Sequence, residues 1–233
     1  MAVTFTQLVA GTASTTNQST AYAGTAGTPA AGDLLIAFIV CAGNTTAGTL
    51  SGGGWTWTLL TSAAISTTHF CTVWWAYAAT ATSTTLSYLP SAAATGCNLY
   101  CVRVAGTRNQ TSATVGQALQ QAVVTNTAST ANPSLTFGSN TTASNGLLLF
   151  AANSTNLTTQ WTAPTGFTEL TEIAFNTPAT SLEAAQLSSV VTPATTYTWT
   201  NTQVTAWRVF GLEFTINPTS VTDPMGMLGF FGI

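Results

Sequence analysis

The chain has 233 residues, of which 45% are hydrophobic and only 4% are charged, and its formal net charge at pH 7 is −3. A typical soluble domain carries about 25% charged residues. The composition supplies a core, but it lacks the basic surface that binds nucleic acid or an anionic membrane, so we expect neither as a partner.

Period-two alternation predicts a first strand at residues 3–10. After a Gly/Pro turn comes the most apolar run of the chain, residues 33–42, and because it is apolar on both faces we expect it in the middle of a sheet. Residues 43–54 are expected to form a long loop. Further strands of the first half are predicted at 55–62, 70–78, 83–89 and 99–105.

The second half shows the same order of elements. Strands are predicted at 134–137, 147–152, 167–173, 182–191, 195–200 and 207–216. Residues 115–123 are the one helix candidate, and their Thr and Val flanks favour a strand. Many short strands joined by Gly, Pro and Asn turns are typical of an all-β sandwich or jelly roll, which is the fold class we predict.

The two halves are related in sequence. The offsets are 113 from Leu34 to Leu147, 112 from Gly54 to Gly166 and 110 from Leu99 to Val209. Matches that stay in order across a whole half indicate a duplication. We therefore predict that the two halves superpose strand for strand.

The predicted organisation is one double-layered unit over residues 1–217, built from repeats 1–106 and 107–217, followed by an apolar tail, 218–233. The alternative is that each half forms its own sandwich. We favour one unit because the segment that joins the halves has no proline and resembles the internal loops.

The last strand of each half presents a matched apolar face, formed by Tyr100, Val102 and Val104 and by Phe210, Leu212 and Phe214. Val102 and Leu212 should both be buried in equivalent strands, because a one-residue slip would turn them outward. Arg103 and Glu213 lie on the opposite face, which we expect to meet solvent or a partner.

The polar residues are mainly Thr, Ser, Asn and Gln, with three arginines and no lysine. Lysine and interspersed charges normally keep sheet edges apart. Their absence is typical of a protein whose surface is covered in an assembly, or of one that works where neutral hydroxyl surfaces suffice. We expect a homo-oligomer.

Targeting and cysteine signals are few. The N-terminal segment alternates like a strand, so we do not expect it to be a secretory signal. No apolar run reaches the roughly 18 residues of a membrane span, so we expect a soluble chain. Four cysteines, Cys41, Cys71, Cys97 and Cys101, lie in apolar strands and are expected as free buried thiols rather than disulfides. With His69 as the only histidine, we expect no zinc site.

Catalytic patterns are weak. The acids are Asp33, Glu169, Glu172, Glu183, Glu213 and Asp223. We expect Glu169 and Glu172 on opposite faces of one strand, and Asp33 in a turn. His69 precedes an aromatic strand, and we do not expect it to belong to a Ser/His/Asp catalytic triad. The glycines at 52–54 lack the following helix and the lysine of a phosphate-binding loop. We predict that the chain is not an enzyme and uses no cofactor.

Seven tryptophans could pack in the core or offer flat faces to a sugar. Most alternate with aliphatic residues in strands, which favours the core. Trp57 and Trp161 lie beside loops and are the candidate glycan contacts.

Several motifs resemble those of one family. They are G-D-L-L-I-A-F at Gly32, G-W-T-W-T-L-L at Gly54, V-W-W-A-Y-A at Val73, T-T-L-S-Y at Thr84 and P-T-G-F-T-E-L at Pro164. Together they resemble repeat-containing β-sandwich proteins encoded by tailed phages and prophages. The resemblance implies a virion component, such as a capsid decoration (cement) protein or a tail or fibre part.

The tail completes this interpretation. Its large apolar residues are Met225, Met227, Leu228, Phe230, Phe231 and Ile233, and the glycines between them oppose a helix. Such a segment is an aggregation liability unless it is covered, so we expect it to dock on a neighbouring subunit or on the particle. The predicted function is therefore a virion structural protein with other virion proteins as partners, and the alternative is a carbohydrate-binding module.

Overall fold

The computed structural model describes residues 2–14, 20–108, 115–130, 132–155, 161–177, 179–201 and 205–217. Within these ranges the chain is all-β, as predicted: strands are joined by turns, and the helical structure is limited to a 3₁₀ turn at Val115–Gln117.

The first half contributes a five-stranded and a three-stranded antiparallel sheet. Its strands are β1 (Thr4–Ser14), β2 (Tyr22–Gly27), β3 (Leu34–Ala42), β4 (Thr49–Ser51), β5 (Thr58–Ala64), β6 (His69–Tyr77), β7 (Thr84–Leu89) and β8 (Gly96–Ala105). The large sheet has the order β1-β8-β3-β6-β5, and the small sheet has the order β2-β7-β4. The apolar strand β3 lies in the middle of the large sheet with all nine residues buried, as its sequence predicted.

The second half repeats this arrangement. Its strands are β9 (Leu119–Thr130), β10 (Ser134–Thr136), β11 (Gly146–Asn153), β12 (Trp161–Thr162), β13 (Thr168–Asn176), β14 (Ala179–Leu187), β15 (Thr196–Thr198), β16 (Thr200–Asn201) and β17 (Thr205–Phe214). The five-stranded sheet has the order β9-β17-β11-β14-β13, which matches the first half strand for strand. The short strands form two ribbons, β10-β15 and β12-β16, in place of one three-stranded sheet.

The predicted burial of the last strands is confirmed. Val102 in β8 and Leu212 in β17 are both fully buried, and the two strands take the same place in their sheets. A bulge also recurs: the register of β5 shifts at Leu60 and that of β13 shifts at Leu170. The strand order, the burial of the last strands and the position of the bulge are thus the same in both halves, which indicates that their strands are equivalent.

One predicted offset is wrong by a single residue. The sequence matched Leu34 with Leu147, but Leu34 faces the core between the halves, whereas Leu147 faces the outer side of its own sheet. The pairing of β3 with β8 and of β11 with β17 is consistent with an offset of 112, which places Phe38 opposite its counterpart Phe150 in the shared core. The two leucine runs look alike in either register, so composition could not separate them.

Three apolar clusters define four layers. The central cluster joins the two five-stranded sheets face to face, with contributions such as Phe38 and Val102 from one half and Phe150 and Leu212 from the other. A second cluster lies between the first half's large and small sheets, and a third lies under the ribbons of the second half. The strands of the sheets thus pair only within their own half, as expected if each half forms its own sandwich. The largest core is nevertheless shared by both halves, as expected if they form one unit.

Several boundaries differ from expectation. The predicted loop at 43–54 contains the short strand β4, and the strand predicted at 182–191 runs instead from 179 to 187. In the segment 115–123 a 3₁₀ turn precedes β9. Each of these elements is held by neighbours distant in sequence, which local patterns do not report.

Candidate functional site

The predicted assembly tail lies outside the described residues. Its residues Met225, Met227, Leu228, Phe230, Phe231 and Ile233, together with Asp223, belong to the segment after Asn217.

The two candidate glycan contacts lie in different environments. Trp57 is half-buried, and its Nε1 donates to the Gly52 carbonyl at 3.3 Å. Trp161 is only 5% exposed, and its Nε1 donates to Ser181 Oγ at 3.4 Å. Trp161 therefore packs in the outer core of the second half and offers no open ring face.

A small cavity lies beside Trp55, the neighbour of Trp57, and Trp57 itself does not line it. It has a volume of about 180 Å³ and is lined by Gly53, Gly54, Trp55, Thr56, Tyr77, Ala79 and Thr80. Trp55 meets Trp57 edge to face with ring centroids 6.2 Å apart. The cavity is lined by the aromatic side chains of Trp55 and Tyr77 and by two threonines. Aromatic faces beside hydroxyl groups suit a polyhydroxyl ligand better than a charged one.

The turn before β3 carries an ion pair. Arg103 Nε lies 2.8 Å from Asp33 Oδ2, and the same carboxylate accepts from the Ala30 N–H at 2.7 Å. Asp33 thus has the predicted turn role. Arg103 is half-buried over the turn rather than free in solvent.

The equivalent turn before β11 is held by Glu213. This side chain was expected at the surface, and that expectation is wrong, because Glu213 is fully buried. Its carboxylate accepts from the Thr142 N–H at 2.6 Å, from Asn145 Nδ2 at 2.8 Å and from Gln121 Nε2 at 2.6 Å. With the offsets of 112 and 110, Asn145 corresponds to Asp33 and Glu213 to Arg103. The acid that holds the turn therefore lies in the turn itself in the first half and on the last strand, β17, in the second.

Three glutamates share one face of the β13–β14 pair. Glu172 is directly opposite Glu183, and Glu169 is opposite Ala185, two residues further along β14. The prediction that Glu169 and Glu172 lie on opposite faces is therefore wrong. The bulge at Leu170 inserts one residue between them and restores the same facing.

Glu183 is the fully buried acid of this group. Its side chain is 0% exposed, and neither carboxylate oxygen has a hydrogen-bond partner. Burial, followed by the charges of Glu169 and Glu172, raises its pKa to about 8. The Trp199 indole opposes this rise but does not reach ordinary hydrogen-bond geometry. Glu183 is therefore protonated at neutral pH.

His69 joins the two halves. Its Nε2–H donates to the Ala179 carbonyl of β14 at 3.0 Å, and Nδ1 lies 3.0 Å from the Thr68 hydroxyl. Burial lowers the pKa of His69, although the bond to Ala179 opposes this. Because both ring nitrogens have structural partners, the histidine acts as a connection between the halves.

Within the described residues, no group of three or more His, Cys, Asp and Glu side chains is arranged to hold a metal ion. The described part of the chain also contains no helix that is long and apolar enough to cross a membrane. All four cysteines are free and buried, as predicted.

Comparisons of the chain with protein-family models, with curated proteins and with solved structures gave no match.

Proposed function

We propose that each half is a jelly roll, with eight strands in the first half and nine in the second, and that the chain is a structural protein of a virus particle. The role that fits best is a capsid decoration (cement) or tail-associated protein of a tailed phage. The observation that carries this proposal is the duplicated strand order, in which the first strand of each half neighbours the last and the short strands cover the outer face. Jelly rolls with two such layers are frequent in capsid and lectin domains.

The surface composition supports assembly. Strand β5 is the edge of a five-stranded sheet, and its residues Thr58–Ala64 carry no charge. Leu59 on this edge is 38% exposed. Strand β5 has a bulge, but an uncharged edge with an exposed leucine lacks the charged side chains that usually oppose pairing with another chain.

The tail supplies the second contact in this proposal. Its six large apolar side chains would each contribute about 1.5–3 kcal/mol on burial, before the ordering cost of about 1–2 kcal/mol per residue is subtracted. The net free energy of docking is more favourable when the tails of several copies pack together and bury one another's side chains. We therefore expect the tail to dock on a neighbouring subunit or on the particle.

The test compares the full chain with a version that lacks residues 219–233. Phage particles from the source of the chain are purified on a density gradient, and mass spectrometry measures copies per particle. Full-length chain should be present in a fixed ratio to the major shell protein and should form a multimer by light scattering. The truncated chain should keep its circular dichroism and melting temperature, because both halves and their shared core lie before Pro218, but it should not bind particles.

Absence of the full-length chain from particles would refute the virion role. Normal assembly by the truncated chain would refute the role of the tail alone.

A second candidate function is glycan binding, and the cavity at Trp55 and Tyr77 favours it. Calorimetric titration with neutral oligosaccharides should then show saturable binding that Trp55→Ala abolishes. Leu89→Ala is the control, since Leu89 is exposed elsewhere on β7. Equal binding by both variants would place any glycan away from this cavity.

A further inference from the structure

Two of the four buried cysteines lie side by side. Cys41 in β3 and Cys97 in β8 are directly opposite each other in the antiparallel pair. The Cys41 thiol donates to Cys97 Sγ across 3.1 Å. Opposite residues in antiparallel strands have Cα atoms about 4.5–5.5 Å apart, which lies within the span of a disulfide.

We propose that Cys41 and Cys97 form a redox site, which a small-molecule disulfide converts into a cross-strand disulfide. The sulfur atoms need to approach by only about 1 Å to reach bonding distance, so the sheet keeps its register. The proposal does not depend on the virion role.

The other two thiols cannot substitute for this pair. Cys101 is on the same face of β8 as Cys97 but four residues further along, which is about 13 Å. Cys71 faces the central core, on the other side of the sheet. Their thiols donate to backbone carbonyls instead, Cys71 to Ala63 at 3.2 Å and Cys101 to Val102 at 4.0 Å.

The reaction is a thiol–disulfide exchange. One cysteine loses its proton, and its thiolate attacks oxidised glutathione, which forms a mixed disulfide and releases one glutathione thiolate. The second cysteine, once deprotonated, attacks the protein sulfur of that mixed disulfide and releases the second glutathione thiolate. The two protein thiols are thereby oxidised by two electrons, and oxidised glutathione is reduced to two molecules of glutathione.

Burial of the two cysteines makes the rate of oxidation depend on whether the chain is folded. Burial and the neighbouring Cys41 raise the pKa of Cys97 well above its usual value, so the thiolate is scarce in the folded chain. Both side chains are also enclosed in the cluster between the large and small sheets of the first half. We therefore expect rapid oxidation during folding and slow oxidation of the folded, reduced protein.

The disulfide would lie within one half only. It joins β3 to β8 and closes the segment that contains β4 to β7. In the second half the corresponding paired positions are Asn153 and Trp207, which cannot form such a bond. The disulfide therefore cross-links the first half alone, and the shared central core would pass its stabilisation on to the whole chain.

The test refolds the full chain from denaturant in a glutathione redox buffer, followed by alkylation of free thiols in denaturant without reductant. Intact mass should show two alkylated cysteines and a loss of two hydrogens. Chymotrypsin is the protease of choice, because all four cysteines precede Arg108 and only Arg103 offers trypsin a site in that region. Cleavage at Tyr100 separates Cys97 from Cys101, and the linked peptides should contain Cys41 and Cys97.

Two double variants provide matched controls. Cys71→Ala with Cys101→Ala keeps the proposed pair and should still lose two hydrogens, and its melting temperature should rise by roughly 5–10 °C on oxidation. Cys41→Ala with Cys97→Ala should show neither change. Four alkylated cysteines in the oxidised wild-type chain, or a linked peptide that contains Cys71 or Cys101, would overturn the proposal, and this measurement does not require the variants to fold.

Discussion

At the residue scale, the two halves differ most in what they bury at equivalent places. Strand pairing sets β14 at an offset of 111 from β6, so that Glu183 corresponds to Thr72. Thr72 accepts a hydrogen bond from Trp74 Nε1 at 2.9 Å, whereas both oxygens of Glu183 are without a partner. A buried acid without donors is tolerated because it keeps its proton.

The first prediction concerns the pH dependence of stability. The pKa of Glu183 rises from 4.5 in the unfolded chain to about 8 in the folded one. Between these values the folded state binds more protons than the unfolded state, so stability falls as pH increases, by up to about 1.4 kcal/mol per pH unit. Glu183→Gln should remove this loss and should be more stable than wild type at pH 8 by about 2–4 kcal/mol.

Urea unfolding at pH 5 and pH 8 measures this effect. Glu169→Gln is the control, since Glu169 is exposed on the same face and should leave most of the pH dependence in place. An unchanged difference between pH 5 and pH 8 in Glu183→Gln would show that another group titrates.

At the element scale, the turn that enters the central strand has the same left-handed backbone conformation in both halves, but the second half has a serine where the first half has a glycine. Gly32 and Ser144 occupy equivalent positions before β3 and β11, with φ of 92° and 72°. Non-glycine residues pay roughly 1–2 kcal/mol for this left-handed conformation. The turn in the second half is nevertheless held, because the Glu213 carboxylate accepts hydrogen bonds from the Thr142 N–H and from Asn145 Nδ2.

A pair of reciprocal substitutions tests this account. Ser144→Gly should stabilise the protein by about 0.5–1 kcal/mol, and Gly32→Ser should destabilise it by a similar amount or more. A Cβ at Gly32 meets no atom within 4 Å, so the second change isolates backbone strain from packing. Chemical denaturation gives both values, and the same sign for the two substitutions would contradict the equivalence of the turns.

At the scale of the whole molecule, the halves are joined mainly through side chains. Phe38 stacks on Phe150 with ring centroids 4.7 Å apart and meets Phe210 edge to face at 5.4 Å. Gly146 lies where a Cβ would come 2.6 Å from the Cβ of Val3, so the two sheets approach closely at this point. A core of this size makes the stability of each half depend on the other.

We therefore predict that the chain unfolds in one cooperative transition. Phe150→Ala should destabilise it by about 3–5 kcal/mol and lower the denaturation midpoint of both halves together. Incorporation of fluorotryptophan allows fluorine NMR to follow Trp74 and Trp199 separately. Leu59→Ala, at the exposed edge, should have little effect, and independent transitions for the two tryptophans would show that the shared core does not couple the halves.

The sequence by itself determined that the chain is all-β, that its two halves share one order of strands, and where most strands lie, because alternation, β-branched residues and turn signals are local and occur twice. It also placed Val102 and Leu212 in the core, since an apolar face repeated at matched positions is visible without a structure. It could not fix the register of the leucine runs of β3 and β11, since a run that is apolar on both faces looks the same after a slip of one residue.

Only the tertiary structure decided where the polar groups lie. The bulge at Leu170 that brings Glu169 and Glu172 to one face, the burial of Glu213 among three donors and the contact between the Cys41 and Cys97 thiols all depend on pairing between strands far apart in sequence. The sharing of one central core by two halves has the same origin. A sheet face carries no local signal of what covers it, so the sequence showed which faces are apolar, and the folded chain alone showed that they cover each other.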